Sequence, residues 1–80
     1  MVKISKKIHQ YTAIFERNEH DGYTVTVPSL PGLVTEGGNL AEAKAMAEEA
    51  ITCYLEGLQK EGALIPNEIE ISSFRLSVAV

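Results

Sequence analysis

The first third of the chain alternates between apolar and polar residues with the period of two that is typical of a β-strand. In the run Ile8 to Arg17, one face carries Tyr11, Ala13 and Phe15. The other face carries Thr12, Ile14 and Glu16. A second alternating run covers residues 23–27, and Asp21-Gly22 between the two runs is a strong turn signal. The pattern therefore predicts a β-hairpin.

A rigid corner follows the hairpin. Pro28 ends the second strand because proline has no N–H to donate to a ladder. In Leu30-Pro31-Gly32, the proline presets φ for a turn and the glycine accepts a positive φ. Residues 33–36 then predict a third short strand, which Gly37-Gly38 ends.

The period changes to that of a helix after these glycines. Asn39 is a good N-cap, and Glu42 lies at the capping-box position. Gly62 is a terminator and Pro66 prevents resumption, so the helix is predicted over residues 40–61. Gly57 is either a close-packing position or simply tolerated. One face of this helix is apolar: Leu40, Ala43, Ala47, Ala50, Ile51, Tyr54, Leu55 and Leu58.

Alternation with a period of two returns from Ile69 to the end, as one long strand or as two short strands broken near Ser72-Ser73. The predicted order is β-β-β-α-β, with a possible extra strand. This is an α+β fold in which the helix packs across one face of an antiparallel sheet. An apolar chain end must dock on something. We expect it either to complete the sheet or to form the interface of a homodimer or higher oligomer through Phe74, Leu76 and Val78.

Composition limits the possible classes of protein. The 80 residues predict a single domain over residues 1–80, with residues 1–7 as a basic lead-in. The net charge of −4 disfavours nonspecific phosphate binding. The single cysteine, Cys53, excludes an intramolecular disulfide, and we expect it to be a packing residue. Without a signal peptide or a membrane-spanning run, we expect a soluble cytoplasmic protein.

Candidate chemical groups are sparse, so the sequence predicts no enzyme, no metal site and no cofactor. Asp21 is the only aspartate, whereas two-metal catalysis needs converging carboxylates. Glu16 and Glu36 are expected on neighbouring strands, where solvated charges are the simpler interpretation. Neither histidine accompanies a nucleophile motif. An acidic strip on the outer face of the helix either meets a basic partner or is an ordinary solvated face: Glu42, Glu49 and Glu56.

An ordered set of short motifs over roughly residues 11–66 resembles the HicB antitoxin family. The matching residues are Asp21-Gly22-Tyr23, Val27-Pro28, Leu30-Pro31-Gly32, Thr35-Glu36-Gly37, Glu42-Ala43, Glu49-Ala50-Ile51 and Ile65-Pro66. The resemblance implies a partial RNase-H-like sheet and helix without the metal-binding carboxylates of that fold. Leu33 stands where the family often has cysteine, which fits a buried, small-to-medium apolar role and not a reactive thiol.

The resemblance also implies a partner, HicA, a small basic toxin that cleaves mRNA. Many relatives carry a C-terminal DNA-binding module, and we expect no direct DNA binding from this chain. Acidic groups would offset the toxin's charge and apolar groups near the corner would anchor the contact. The expected contact residues are Glu16, Asp21, Tyr23, Leu30, Leu33 and Glu36. Two alternatives remain open: an orphan dimerising or adaptor module without a toxin, and a hydrolase on the RNase-H-like sheet.

Overall fold

The computed structural model of the chain describes residues 7–80. Three strands precede one helix: β1 is Ile14–Arg17, β2 is Tyr23–Thr26, β3 is Val34–Gly37 and α1 is Leu40–Lys60. The strands form an antiparallel sheet in the order β1-β2-β3. The predicted α+β class, with an antiparallel sheet and one long helix, is confirmed. The expected basic lead-in lies outside the described residues apart from Lys7.

The hairpin loop between β1 and β2 is organised by Asn18. Its side-chain oxygen accepts hydrogen bonds from the backbone N–H groups of His20 at 3.0 Å and Gly22 at 3.1 Å. Its own backbone N–H donates to the Gly22 carbonyl at 3.0 Å. Asp21 has a φ of 61°, a left-handed conformation that aspartate tolerates better than most residues. The predicted turn is confirmed, with Asn18 as the residue that closes it.

Strand β1 is shorter than the predicted run from residue 8 to residue 17. The observed register places Ile14 opposite Thr26, so continuing it two residues places Thr12 opposite Pro28. Proline cannot donate to the ladder, and regular pairing therefore ends before this point. The alternation of faces nevertheless continues, because Tyr11 and Ala13 both pack against the buried core.

The corner after β2 forms as predicted. The backbone N–H of Leu30 donates to the carbonyl of Val27 at 2.9 Å, and that of Leu33 donates to the carbonyl of Leu30 at 3.2 Å. Gly32 has a φ of 86°, as a type II turn with Pro31 before it requires. The corner turns Leu30 and Leu33 inward, into a buried cluster with Val27.

Both helix ends carry the predicted caps. The Asn39 side chain accepts from the N–H of Glu42 at 2.8 Å, and the Glu42 carboxylate accepts from the N–H of Gly38 at 3.1 Å. At the other end Gly62 has a φ of 70°. Its N–H donates to the Gln59 carbonyl and that of Ala63 donates to the Leu58 carbonyl, which is the Schellman pattern.

Helix α1 packs mainly over β3 and, to a lesser extent, over β2. Ala43 and Ala47 lie against Val25, and the second half of the helix lies against the corner cluster through Ala50, Ile51, Tyr54 and Leu55. The apolar face is confirmed except at its first residue, since Leu40 remains 55% exposed. The prediction that Cys53 is a packing residue is wrong, because its side chain is exposed.

The strand predicted after the helix is not formed within residues 7–80. Residues 69–80 carry the expected alternation, but no neighbouring strand pairs with them, and a strand requires a ladder partner. The arrangement β-β-β-α-β is corrected to β-β-β-α for the described residues. The RNase-H-like assignment depends on the resemblance and stays a prediction.

Candidate partner-binding surface

The face of the sheet opposite α1 is uncovered by any element of residues 7–80 and carries an acidic row. The register places Thr24 of β2 between Glu16 of β1 and Glu36 of β3. Both glutamates are exposed. Because strands lie about 4.8 Å apart, the two carboxylate-bearing residues are roughly 10 Å apart. The expectation that they lie on neighbouring strands is wrong, because β2 separates them.

An apolar row lies directly beside the acidic row on the same uncovered face. Ile14 pairs with Thr26, and Thr26 pairs with Val34. Ile14 is 38% exposed and Val34 is 63% exposed. Neither Ile14 nor Val34 was among the predicted contact residues, although the alternation in β1 had placed Ile14 on the same face as Glu16. We call the combined patch of Ile14, Glu16, Val34 and Glu36 the open face.

Asp21 lies in the hairpin loop, beyond the end of the sheet at which the acidic row lies. The side chain of Arg17 approaches its carboxylate at 3.9 Å, with both side chains largely in solvent. Such an exposed pair stabilises a fold by less than about 1 kcal/mol. Asp21 is therefore accessible and not committed to the fold by this contact.

The other expected contact residues lie on the core side. The Tyr23 side chain packs against the Val25 cluster, and the Arg17 guanidinium carbon lies 5.6 Å from the centre of its ring. Leu30 is 0% exposed and Leu33 is buried. In this conformation Leu30 and Leu33 shape the corner but present no surface of their own. The structure therefore brings Glu16, Asp21 and Glu36 to an accessible surface. It places Leu30 and Leu33 in the core and leaves Tyr23 partly buried against it.

The remaining titratable groups do not converge. Glu49 and Glu56 are exposed on α1, whereas Glu42 is engaged in the helix cap. His9 and His20 are exposed. Within residues 7–80, no three side chains of His, Cys, Asp or Glu come close enough to hold a metal ion. The described part of the molecule is thus a surface of separated charges beside apolar groups, which suits contact with another macromolecule.

Comparison with known proteins identifies the family of this chain. Residues 11–78 match the model of a family described as the HicB-like antitoxin of a bacterial toxin–antitoxin system. The chain belongs to this HicB-like antitoxin family. Membership indicates a non-enzymatic regulatory protein and implies a toxin partner of some kind. No helix within residues 7–80 has the length and apolar character needed to cross a membrane.

Relatives of this HicB-like chain are spread over distant organisms. A UPF0150 protein of Thermoplasma acidophilum is 41% identical over 59 residues, which cover 74% of this chain and 86% of the relative. A UPF0150 protein of Synechocystis is 34% identical over 68 residues, covering 85% and 86%. An uncharacterized 14.9 kDa protein of Haemophilus phage HP1 is 36% identical over 55 residues, but these span only 41% of its length.

Proposed function

We propose that this chain is the antitoxin of a type II toxin–antitoxin pair, which binds a HicA-type mRNA-cleaving toxin in the cytoplasm and occludes it. The observation that carries the proposal is the open face, where an acidic row and an apolar row lie side by side. Family membership supplies the class of partner. The chain acts on the toxin directly.

Charge complementarity is the first part of the proposed mechanism. The toxin implied by the family is basic because it binds RNA, and this chain has a net charge of −4. Glu16 and Glu36 on the open face, with Asp21 beyond the end of the sheet, would steer the toxin and set the register of the contact. Such charges contribute more to association rate and specificity than to affinity.

Apolar contact is the second part. Ile14 and Val34 are β-branched residues held rigidly on a paired sheet, so little side-chain entropy is lost when a partner covers them. They replace Leu30 and Leu33 as the proposed apolar anchors, because the latter are buried in the corner. The bound antitoxin would cover the toxin's catalytic histidine and its RNA-binding surface, so that mRNA cannot enter.

The experiment is co-expression with the product of the adjacent short reading frame, scored by growth rescue and by co-purification. The test variant is Glu16→Lys with Glu36→Lys, on the open face. The matched control is Glu49→Lys with Glu56→Lys, two exposed positions on α1. Both variants have the same net charge, so any difference between them reflects location and not overall charge.

We expect the open-face variant to lose growth rescue and to bind the toxin at least about 100-fold more weakly, since reversed charges repel a basic surface. The helix variant should rescue growth and bind within a few-fold of the native chain. An equal loss of rescue and affinity in both variants would show that the toxin is attracted by overall charge and not by the open face. A neighbour that is neither toxic nor bound would remove the antitoxin function and leave the orphan adaptor.

A further inference from the structure

The C-terminal segment, residues 69–80, projects from the body of the molecule. The side chains of Phe74, Leu76, Val78 and Val80 are all more than four-fifths exposed. The radius of gyration over Cα atoms is 15.8 Å, whereas a compact chain of this length has about 12 Å. The longest axis measures 65 Å against 27 and 20 Å for the others. An alternating apolar segment thus stands in solvent, and no part of residues 7–80 covers it.

The start of this segment is held in place. The Glu68 carboxylate accepts hydrogen bonds from the Thr12 backbone N–H and the Ser29 hydroxyl. The N–H of Ile69 donates to the Ser29 oxygen at 2.9 Å, and the Tyr11 hydroxyl donates to the Pro66 carbonyl at 2.6 Å. The chain is therefore attached beside the beginning of β1 and leaves the body from there.

Strand β1 has a free edge next to this point. Within residues 7–80 it pairs with β2 on one side and with no strand on the other. Helix α1 lies over β3 and β2 and leaves the β1 side of the core less covered. An open cleft of about 470 Å³ lies there, between residues 9–11 and α1, with Ile51 and Thr52 in its wall. In the described part of the chain, no fourth strand lies on this side of the sheet.

We propose that the C-terminal segment of each chain adds as a fourth strand to the β1 edge of a second copy, so that two chains exchange these strands in a homodimer. The apolar side chains of residues 74, 76 and 78 would then face the cleft beside α1. Arg75 and Ser77 would lie on the same side of the sheet as the open face. This inference does not depend on toxin binding.

A second copy of the chain is the partner that best fits the β1 edge, because the two surfaces that need covering lie on the same molecule. Within residues 7–80, each chain offers one unpaired alternating segment and one unpaired edge beside a cleft of mixed polar and apolar lining. Two reciprocal exchanges would therefore satisfy both copies and close the assembly. Phenylalanine alone buries about 150–250 Å². In a symmetric exchange, Leu76 and Val78 are buried beside Phe74, and each of these side chains is buried twice. The total buried area is then on the order of 1,000 Å², the lower range of specific interfaces.

Pairing with the chain's own β1 edge is the competing arrangement. It would require the segment, whose apolar side chains stand in solvent, to bend back onto the body after its attachment at Ile69. Residues 70–80 contain neither Gly nor Pro, the two residues that most favour a tight reversal. An exchange with a second copy needs no such turn, which is why we favour it.

The first experiment measures mass in solution at micromolar concentration for the full chain. The test variant replaces Phe74, Leu76 and Val78 together by serine; the control replaces Arg75 by glutamine, Ser77 by alanine and Ala79 by serine, on the other side of the strand. We expect dimers for the native chain and the control, and at least a tenfold higher dissociation constant for the test variant. The helical circular dichroism of α1 should be the same for all three, which would show that the body stays folded. A monomeric native chain, or a test variant that dimerises normally, would overturn the proposal.

A second experiment identifies which surfaces meet. In a Cys53→Ser background, one preparation carries Ser77→Cys and another carries Ile14→Cys. A short bismaleimide should join the two variants after mixing, giving a heterodimer in gels. Cross-linking within a chain that carries both cysteines, but none between mixed chains, would show the folded-back monomer. Efficient cross-linking of the Ser77→Cys variant to itself would show paired segments, and either result would refute the exchange onto β1.

Discussion

The sheet–helix body, residues 13–60, and the C-terminal segment carry the same kind of alternation and have different structures. In β2, Tyr23 and Val25 alternate with threonines, and a strand pairs on each side. In residues 74–80, apolar residues alternate just as regularly, and no strand pairs with them within the described chain. Alternation therefore determines which side chains share a face, whereas pairing depends on an available edge.

The two regions also differ in how they are packed. In the body, small residues allow the backbones of the sheet and the helix to approach closely, as at Gly37 and Ala43. The C-terminal segment has large apolar side chains that no part of residues 7–80 covers. We therefore expect a single added methyl group to destabilise the body, whereas changes in the C-terminal segment should leave the body folded.

The largest effect is expected from Gly37→Ala, which breaks the body. A Cβ at this position would lie 2.6 Å from the Cα of Ala43 and 2.9 Å from the carbonyl carbon of Glu42. These are backbone atoms, so β3 and the start of α1 would have to separate. We expect a loss of about 3 kcal/mol in the free energy of unfolding, or no folded protein, measured by urea titration.

The neighbouring Gly38→Ala is the matched control for this prediction. A Cβ there meets only the Glu42 carboxylate oxygens at 3.9 Å, an ordinary contact. Its free energy of unfolding should stay within about 0.5 kcal/mol of the native value. If both variants are equally stable, the close approach of β3 to α1 does not constrain the fold.

The next effect comes from the helix cap, through Asn39→Ala. The substitution removes the side-chain oxygen that accepts from the Glu42 N–H. We expect a loss of about 1 kcal/mol in the free energy of unfolding. Asn39→Asp keeps an acceptor and should lose much less. A full loss with aspartate would show that the cap hydrogen bond is not the cause.

Most of the body could be predicted from sequence because its signals are local. Asn39, Gly62 and the Pro31-Gly32 turn each act within a few residues, and the structure has all three where the sequence predicts them. The length of β1 could not be predicted in this way. It depends on which residue of β2 comes opposite Thr12, and register is a property of two strands together.

The candidate surface was harder to predict than the fold. Charged residues such as Glu16 and Glu36 are exposed in most folds, so their accessibility could be predicted from residue type alone. Leu30 and Leu33 were expected to contact the partner, but the turn at Gly32 directs both inward. The role of Glu68 was missed because its partners, Thr12 and Ser29, are distant in sequence and come together only in the fold.

A smaller, stabilising effect is expected from Gly57→Ala. A Cβ at Gly57 would meet no atom within 4 Å, so the glycine is tolerated and is not a close-packing position. Alanine is favoured over glycine inside a helix by up to about 1 kcal/mol. We expect a gain of roughly 0.5–1 kcal/mol in the free energy of unfolding. Ala45→Gly, at another exposed helix position, should lose a similar amount, and a loss with Gly57→Ala would mean that a partner packs there.

The smallest effect on the body is expected when acidification protonates Glu68. This prediction also tests most directly whether the body and the C-terminal segment behave independently. Hydrogen bonds from the Ser29 hydroxyl and then from Thr12 hold the pKa of this carboxyl below its usual range. The charged form is therefore favoured in the fold. The contribution of this attachment is complete above the ordinary glutamate pKa of about 4.3 and is lost as the pH falls through the lowered value.

The measurement is amide hydrogen exchange at Ile69 and Val25 as the pH is lowered. Exchange at Ile69, corrected for the intrinsic effect of pH, should accelerate as the pH falls through the lowered pKa of Glu68, whereas the core amide of Val25 should stay protected. Ser29→Ala should accelerate Ile69 exchange already at neutral pH. A second readout is Tyr11, whose pKa is raised first by burial and then by the charge of Glu68. Glu68→Gln should bring that pKa closer to its ordinary value. If Ile69 and Val25 instead lose protection together, the body and the C-terminal segment unfold as one unit, and the distinction between them disappears.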